Sequence, residues 1–231
     1  QAFEILNRMV HNLLDNVTHD KEIVYFSVPA NAINTQTDAD YHQKVLEAIF
    51  KAYRSDKGFT VTPRPINEGL ALVYAELAEK AWTGIGVSFG AGMVNISCAM
   101  FSNPIFNFAL VNSGDWIDQQ AALALGESVA FVNKEKMKID LNKTPTNMVE
   151  RAISSQYRIM IEKTVAGIKR GMEDNRNNFQ EPMDMVIAGG TSSPPGFEVL
   201  FREVVEQMKL PVPINEIIKP ADPLYSVAKG C

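Results

Sequence analysis

Cysteine and histidine are scarce in this chain of 231 residues, which has two cysteines and three histidines. Cys98 and Cys231 lie far apart in the sequence, so neither a disulfide scaffold nor a zinc site is supported, and a reducing, cytoplasmic environment is expected. His11, His19 and His42 have no companion at metal-ligand spacing, and we expect them to be solvated surface groups. This scarcity excludes the disulfide-rich and zinc-binding classes.

Clusters of positive charge are also absent, because no run of Lys and Arg exceeds a pair and the formal net charge is −5. An acidic chain of this kind is not expected to bind nucleic acid directly. Charged residues are missing from Ala81 to Gly114, a length that would suffice for a membrane helix. Because Pro104, asparagines and glycines interrupt this stretch and its apolar residues alternate, we predict buried strands and no transmembrane segment.

Apolar periodicity predicts an α/β fold in which mixed sheets are flanked by helices. Its 46% hydrophobic residues allow a sizeable core in one large domain or two small ones. One predicted helix starts at Thr37, Asp38 and Asp40 and runs to residue 54. The other predicted helices cover residues 2–17, 69–80, 115–125, 133–141, 147 onward, 197–208 and 223 onward. Predicted strands cover residues 23–28, 59–62 (broken by Pro63 and Pro65), 85–100 as a hairpin, 105–111, 185–188 and 213–218.

The turn of that hairpin contains Gly90 and Gly92. Glycine lets backbone N–H groups approach a ligand without interference from side chains, which predicts a phosphate-binding turn. An ordinary tight turn between buried strands fits the same residues, so the turn alone does not decide between the two interpretations.

Five stretches, taken in order, resemble motifs of the actin/MreB/DnaK ATPase superfamily. The first combines a "V-P-A" strand end with an "I-N-E" helix start, and the others resemble the second phosphate loop, the "A-G-D-x-x-D" segment, the ribose-contacting helix and the adenosine loop. The first stretch is Ser27–Ala30 together with Ile66–Glu68. The second, third and fourth stretches are Val87–Ser97, Ser113–Asp118 and Lys134–Ile139. The fifth stretch is Ile187–Ser193 together with Asp222–Pro223 and Ala228–Gly230. The resemblance implies actin-like, ribonuclease H-like lobes that bind ATP or ADP with Mg²⁺.

Matched to those motifs, Glu68 would orient the water that attacks the nucleotide; a helix N-terminal acid is the alternative interpretation. Phosphate contacts are implied for Ser88, Gly90, Ala91, Gly92 and Met93. Ribose or adenosine contacts are implied for Gly114, Asp115, Lys134, Glu135, Lys138, Gly189, Gly190, Thr191 and Ser193. Without the resemblance, Glu135 and Lys138 would form a solvated pair on a helix face, and Thr191 or Ser193 would cap a helix.

The chain also departs from the superfamily pattern. Ser88, Met93 and Asn95 stand where the phosphate loop usually has Asp, Thr and Asp, which predicts no direct metal ligand and weakened or lost hydrolysis. Ser193 stands where a longer polar side chain is common, which predicts a weaker contact with adenine. The first phosphate hairpin, "D-x-G-[ST]", is missing, so we expect a fragment whose first lobe is incomplete.

The expected organisation is a first lobe over residues 1–82, a second lobe over 83–219 with a reduced subdomain near 115–182, and the start of a closing helix over 220–231. The short connections favour the compact MreB- and ParM-like branch, and hence a filament-forming cytoskeletal ATPase that binds copies of itself, with an adaptor protein as a further candidate partner. The alternatives are a DnaK-like chaperone-type ATPase domain, a sugar or acetate kinase, and a non-catalytic scaffold that keeps the fold.

Overall fold

The computed structural model describes residues 2–14, 17–33, 39–176, 179 and 181–231. Helices and strands are interspersed along the chain, and the strands form two separate sheets. This arrangement agrees with the predicted α/β class. The helices are α1 Ala2–Leu13, α2 Ala39–Ala52, α3 Glu68–Glu76, α4 Gly114–Leu125, α5 Val129–Lys136, α6 Met148–Asp174, α7 Phe197–Met208 and α8 Ser226–Lys229. The strands are β1 Glu22–Val28, β2 Val61–Asn67, β3 Gly84–Phe89, β4 Val94–Met100, β5 Asn103–Leu110, β6 Met183–Ala188 and β7 Ile214–Ile218.

The larger sheet has five strands in the order β5-β4-β3-β6-β7. β3, β4 and β5 form an antiparallel meander, because short turns join them. β6 pairs with β3 in parallel, and β7 pairs with β6 in parallel. Helices α4, α5 and α6 lie between β5 and β6 in the chain, and α7 lies between β6 and β7. The sheet is therefore mixed, with helical crossovers to its parallel strands.

Both faces of the central strands are buried, which explains the long charge-free stretch. On one face, alternate residues of β3 and β6 pack against α4–α7, where Phe89 makes edge-to-face contacts with Phe197 and Phe201. On the other face, Leu72, Val73 and Leu77 contact Ala99, Val186 and Ala188. The core therefore needs apolar residues at both odd and even strand positions.

Helix α3 lies unusually close to the five-stranded sheet at two glycines. A Cβ atom built on Gly86 of β3 would lie 2.0 Å from the carbonyl oxygen of Gly69 in α3. A Cβ atom on Gly69 would lie 2.6 Å from the backbone nitrogen of Ser97 in β4. This contact fixes α3, which begins at Glu68, directly against β3 and β4.

The smaller sheet pairs β1 and β2 in parallel. The prediction that Pro63 and Pro65 would end the strand is wrong, because β2 continues through both prolines to Asn67. The Lys21 N–H donates a hydrogen bond to the Thr60 carbonyl. The backbone N–H and carbonyl groups of the even-numbered residues from Thr60 onward therefore point toward β1. The nitrogens of Pro63 and Pro65 face the opposite edge, where no ladder bond is lost.

Several predicted boundaries also shift. α1 ends at Leu13, α3 ends at Glu76 and is followed by a 3-10 turn, and α5 begins at Val129, where the Ser128 hydroxyl caps Phe131. The predicted start of α2 at Thr37 and Asp38 lies outside the described residues. In the part of the chain that is described, no helix is both long enough and apolar enough to span a membrane.

Candidate functional site

The turn between β3 and β4 is held by its own backbone and by two neighbouring elements. The Gly90 N–H donates to the carbonyl of Met93 at 2.9 Å. The carbonyl of Gly90 accepts from the Thr191 hydroxyl at 2.8 Å, and that of Ala91 accepts from the Asp115 N–H at 2.8 Å. Within the described residues, the N–H groups of Ala91, Gly92 and Met93 donate to no other group. Three backbone donors therefore remain available at the turn.

The Gly189–Gly190 turn at the end of β6 lies directly against this hairpin. Gly189 has a φ of 97°, a conformation that favours glycine, and a Cβ atom there would lie 2.4 Å from the Phe89 carbonyl. A Cβ atom on Gly114, at the start of α4, would lie 2.5 Å from the Thr191 hydroxyl. The residues of both glycine turns therefore meet at the same end of the five-stranded sheet.

A cavity of about 420 Å³ opens where the two turns meet, within the usual size range of small-molecule sites. Ala91, Gly190, Thr191 and the buried Tyr157 line this cavity. Its remaining lining residues are Lys136, Met137, Ile139, Ser193, Pro194 and Pro195. Ala91 of the first turn and Gly190 of the second therefore border the same cavity.

Glu68, the first residue of α3, lies beside the strands that lead into and out of the hairpin. Its Oε2 atom accepts hydrogen bonds from the Ser88 hydroxyl at 3.2 Å and from the Asn95 Nδ2 at 3.0 Å. Burial raises the pKa of the Glu68 carboxyl above its ordinary value, and these two hydrogen bonds oppose the rise without cancelling it. Oε1 accepts no bond within the described chain and is not a buried atom.

A family model identified as Volactin matches residues 1–231 of the chain. The chain belongs to the Volactin family. No curated protein matches it, whereas several solved structures share its fold.

The filament structure titled "MamK double helical filament" has a TM-score of 0.74 and 16% identity, with 99% of this chain and 73% of that chain covered. A non-polymerising MamK mutant bound to AMPPNP has a TM-score of 0.64, 16% identity and the same coverage. The ethanolamine utilization protein EutJ from Carboxydothermus hydrogenoformans has a TM-score of 0.61 and 18% identity, with 99% and 72% covered. The Volactin-family chain therefore has an actin-like fold.

Lys136 lines the cavity of this Volactin-family chain, although motif matching did not single it out. Its ammonium group donates to the Gly114 carbonyl and to Asp118 Oδ2, each at 2.7 Å. The side chains of Lys136 and Asp118 are both largely buried. Asn133 donates to the same Oδ2 atom at 2.7 Å, while Asp118 Oδ1 is buried and has no hydrogen-bond partner among the described residues. Burial raises the pKa of the neighbouring Tyr157, and the Asp118 charge raises it further. The available signal was Asp118, the second acid of the "A-G-D-x-x-D" segment, because a buried carboxylate requires a cationic or hydrogen-bonding partner.

None of the four charged residues expected at the ribose or adenosine (Asp115, Lys134, Glu135 and Lys138) lines this cavity. Glu135 and Lys138 form an ion pair of 2.6 Å with each other, and both line a separate depression of about 230 Å³ that is also bordered by Asp140, Thr146 and Glu150. Lys134 is exposed on α5 and lines neither space. Among the expected adenosine contacts, the structure brings Gly190, Thr191 and Ser193 to the cavity, with Gly189 directly beside it.

The side chains around Glu68 do not form a metal site on their own. Within the described ranges, no group of three or more His, Cys, Asp or Glu side chains is arranged to hold a metal ion. The Ser88 hydroxyl and the Asn95 amide, which replace two acids of the superfamily pattern, both donate to Glu68.

Proposed function

We propose that this Volactin-family chain binds ATP or ADP at the cavity between its two glycine turns. The observation that carries the proposal is the set of free N–H groups at Ala91, Gly92 and Met93 beside a cavity of about 420 Å³. Successive backbone N–H groups form a concave anion site that suits phosphate. The largely apolar lining, which includes Ile139, Gly190 and Pro195, suits a purine ring.

In this proposal Glu68 is the residue that accepts a hydrogen bond from the attacking water, through its free Oε1 atom. Positioning of water and charge supplies most of the rate in phosphoryl transfer. Because Ser88 and Asn95 supply no negative charge beside the phosphates, we expect ATP hydrolysis to be slow. The proposal includes the remaining motif positions, with Gly114 and Asp115 near the sugar and phosphates and Lys136 taking the place expected for Lys134, Glu135 and Lys138.

We further propose that copies of the protein assemble head to tail in the cytoplasm as cytoskeletal filaments. The support is the fold shared with the MamK filament structure, together with the tendency of non-closing heterologous contacts to generate filaments. The division into lobes at residues 1–82 and 83–219, joined by residues 220–231, belongs to the same proposal. A relative motion of two lobes around a nucleotide is how binding would be coupled to assembly.

A charge introduced at Gly92 tests nucleotide binding, since nothing lies within 4 Å of a Cβ atom built there. Gly92→Glu places a carboxylate beside the proposed phosphate site, and Gly92→Gln is the isosteric neutral control. Calorimetry on the full-length protein should show ATP binding weakened at least about tenfold by Gly92→Glu and much less by Gly92→Gln. Equal binding by all three proteins, or no binding by the unsubstituted protein, would reject the nucleotide site.

Assembly is tested separately by sedimentation and electron microscopy of the full-length protein. We expect polymer with ATP or a non-hydrolysable analogue and less polymer with ADP, because nucleotide state would bias the lobe arrangement. A protein that binds ATP but stays monomeric under every nucleotide condition would retain the first proposal and refute the second.

A further inference from the structure

Asn95 of β4 is buried and contacts two other parts of the chain with opposite ends of one amide group. Its Oδ1 atom accepts a hydrogen bond of 2.8 Å from the Ala30 N–H, just after β1. Its Nδ2 atom donates a bond of 3.0 Å to Glu68 Oε2. The side chain thus links the end of the smaller sheet to the carboxylate that begins α3.

The chemistry of its neighbours fixes the orientation of this amide. A backbone N–H can only donate, so the atom facing Ala30 must be the oxygen, and an ionised carboxylate can only accept, so the atom facing Glu68 must be the nitrogen. An aspartate here could accept from Ala30 but could not donate to Glu68 when ionised. Asparagine is therefore suited to both contacts at once, which an aspartate of the same length is not.

The residues after Ala30 also join the smaller sheet to the larger one. Ala109 of β5 donates its N–H to the Asn31 carbonyl at 2.9 Å and accepts from the Ile33 N–H at 3.0 Å. Residues 30–33 consequently cross from the end of β1 to the outer edge of the five-stranded sheet. A displacement of the smaller sheet relative to the larger one would strain the Ala30–Asn95 bond directly.

We propose that Asn95 is a positioning residue that couples the placement of residues 30–33 to the orientation of Glu68. Its amide holds Oε2 toward β4, which leaves Oε1 as the free acceptor. When the Ala30 N–H moves away, Asn95 is released and Glu68 loses one of its two donors. The catalytic consequence rests on the proposed ATP hydrolysis, whereas the coupling itself concerns the protein alone.

Two substitutions separate the two ends of the amide. Asn95→Asp keeps an acceptor for Ala30 but places a second carboxylate beside Glu68, whereas Asn95→Ala removes both contacts. Asn107→Asp, at an exposed position of the neighbouring strand β5, is the matched control. Should Asn95→Ala fail to fold, Asn95→Ser, which is too short to reach both partners, replaces it.

Amide hydrogen exchange at Ala30 tests the first contact in the full-length protein without nucleotide. We expect exchange at least about tenfold faster in Asn95→Ala and little changed in Asn95→Asp and Asn107→Asp, since only the first loses the acceptor. Unchanged exchange in Asn95→Ala, or equal acceleration in Asn95→Asp, would overturn the coupling. This result does not depend on whether ATP binds.

The pH profile of ATP hydrolysis tests the second contact. A carboxylate at position 95 disfavours ionisation of Glu68, so the acidic limb of the profile, measured at saturating ATP, should move upward by about one pH unit in Asn95→Asp. The other titratable group that interacts with Glu68 in the described chain is the Cys231 thiol, after α8, and it is unchanged in all variants. A profile identical to that of Asn107→Asp would refute the positioning role, whereas absence of ATP binding in every protein would refute the proposed function instead.

Discussion

Replacing Gly86 by alanine sets two physical effects against each other. Gly86 lies inside β3 and has no left-handed φ, so alanine would ordinarily stabilise the strand by about 0.5–1 kcal/mol through the unfolded chain. In this fold the new Cβ atom would lie 2.0 Å from the Gly69 carbonyl oxygen and 3.0 Å from Leu72 Cβ. The first of these distances is far below van der Waals contact, so backbone has to move.

The movement would cost more than the entropy gain. Relief requires α3 to retreat from the sheet by more than about 1 Å, and α3 carries Leu72 and Val73, both fully buried. Overpacking of a close-packed core typically costs about 1–3 kcal/mol and more when backbone is displaced. We therefore expect a net loss of about 3 kcal/mol, which for a chain of this size lowers the melting temperature by about 6–12 °C.

Thermal and urea unfolding of Gly86→Ala measure this loss directly. Gly92→Ala is the matched control, because nothing lies within 4 Å of a Cβ atom there, and its stability should differ by less than about 0.5 kcal/mol from that of the unsubstituted protein. A Gly86→Ala protein as stable as that control would show that α3 and β3 are not in this contact.

Three further predictions concern buried polar groups. Lys136→Met should cost about 3–5 kcal/mol by leaving the Asp118 carboxylate buried without its cation, and the double variant Lys136→Met/Asp118→Asn should recover most of that loss in urea unfolding. Burial raises the pKa of Cys98 to about 12, so it should react with a thiol reagent only on unfolding, whereas half-buried Cys231 should react slowly in the native protein. Because the pKa of Glu68 is raised in the folded state, the unsubstituted protein loses stability as pH rises from about 4.5 through the folded-state pKa. Glu68→Gln should therefore be the more stable protein at about pH 8 and match it at about pH 4; the opposite order would contradict burial as the cause.

Much of the fold was predictable because strand and helix signals are local. The alternating residues after Gly92 and the helical spacing from Phe197 onward depend on side-chain periodicity along one segment, and the structure has a strand and a helix there. The prediction failed at Pro63 and Pro65 because a proline interrupts a strand only where its nitrogen faces a neighbouring strand that needs a hydrogen-bond donor. The sequence does not reveal which edge of a strand has no such neighbour.

By itself, the sequence determined the α/β class, the positions of the two glycine turns and the presence of Glu68 at a helix start, since each follows from a few consecutive residues. Only the tertiary structure decided which groups meet. Lys136 rather than Glu135 or Lys138 lines the cavity, and Asn95 joins Ala30 to Glu68. Such pairings depend on the packing of α3, α5 and the strands against one another, because residues distant in the chain come together only when the core between them is formed.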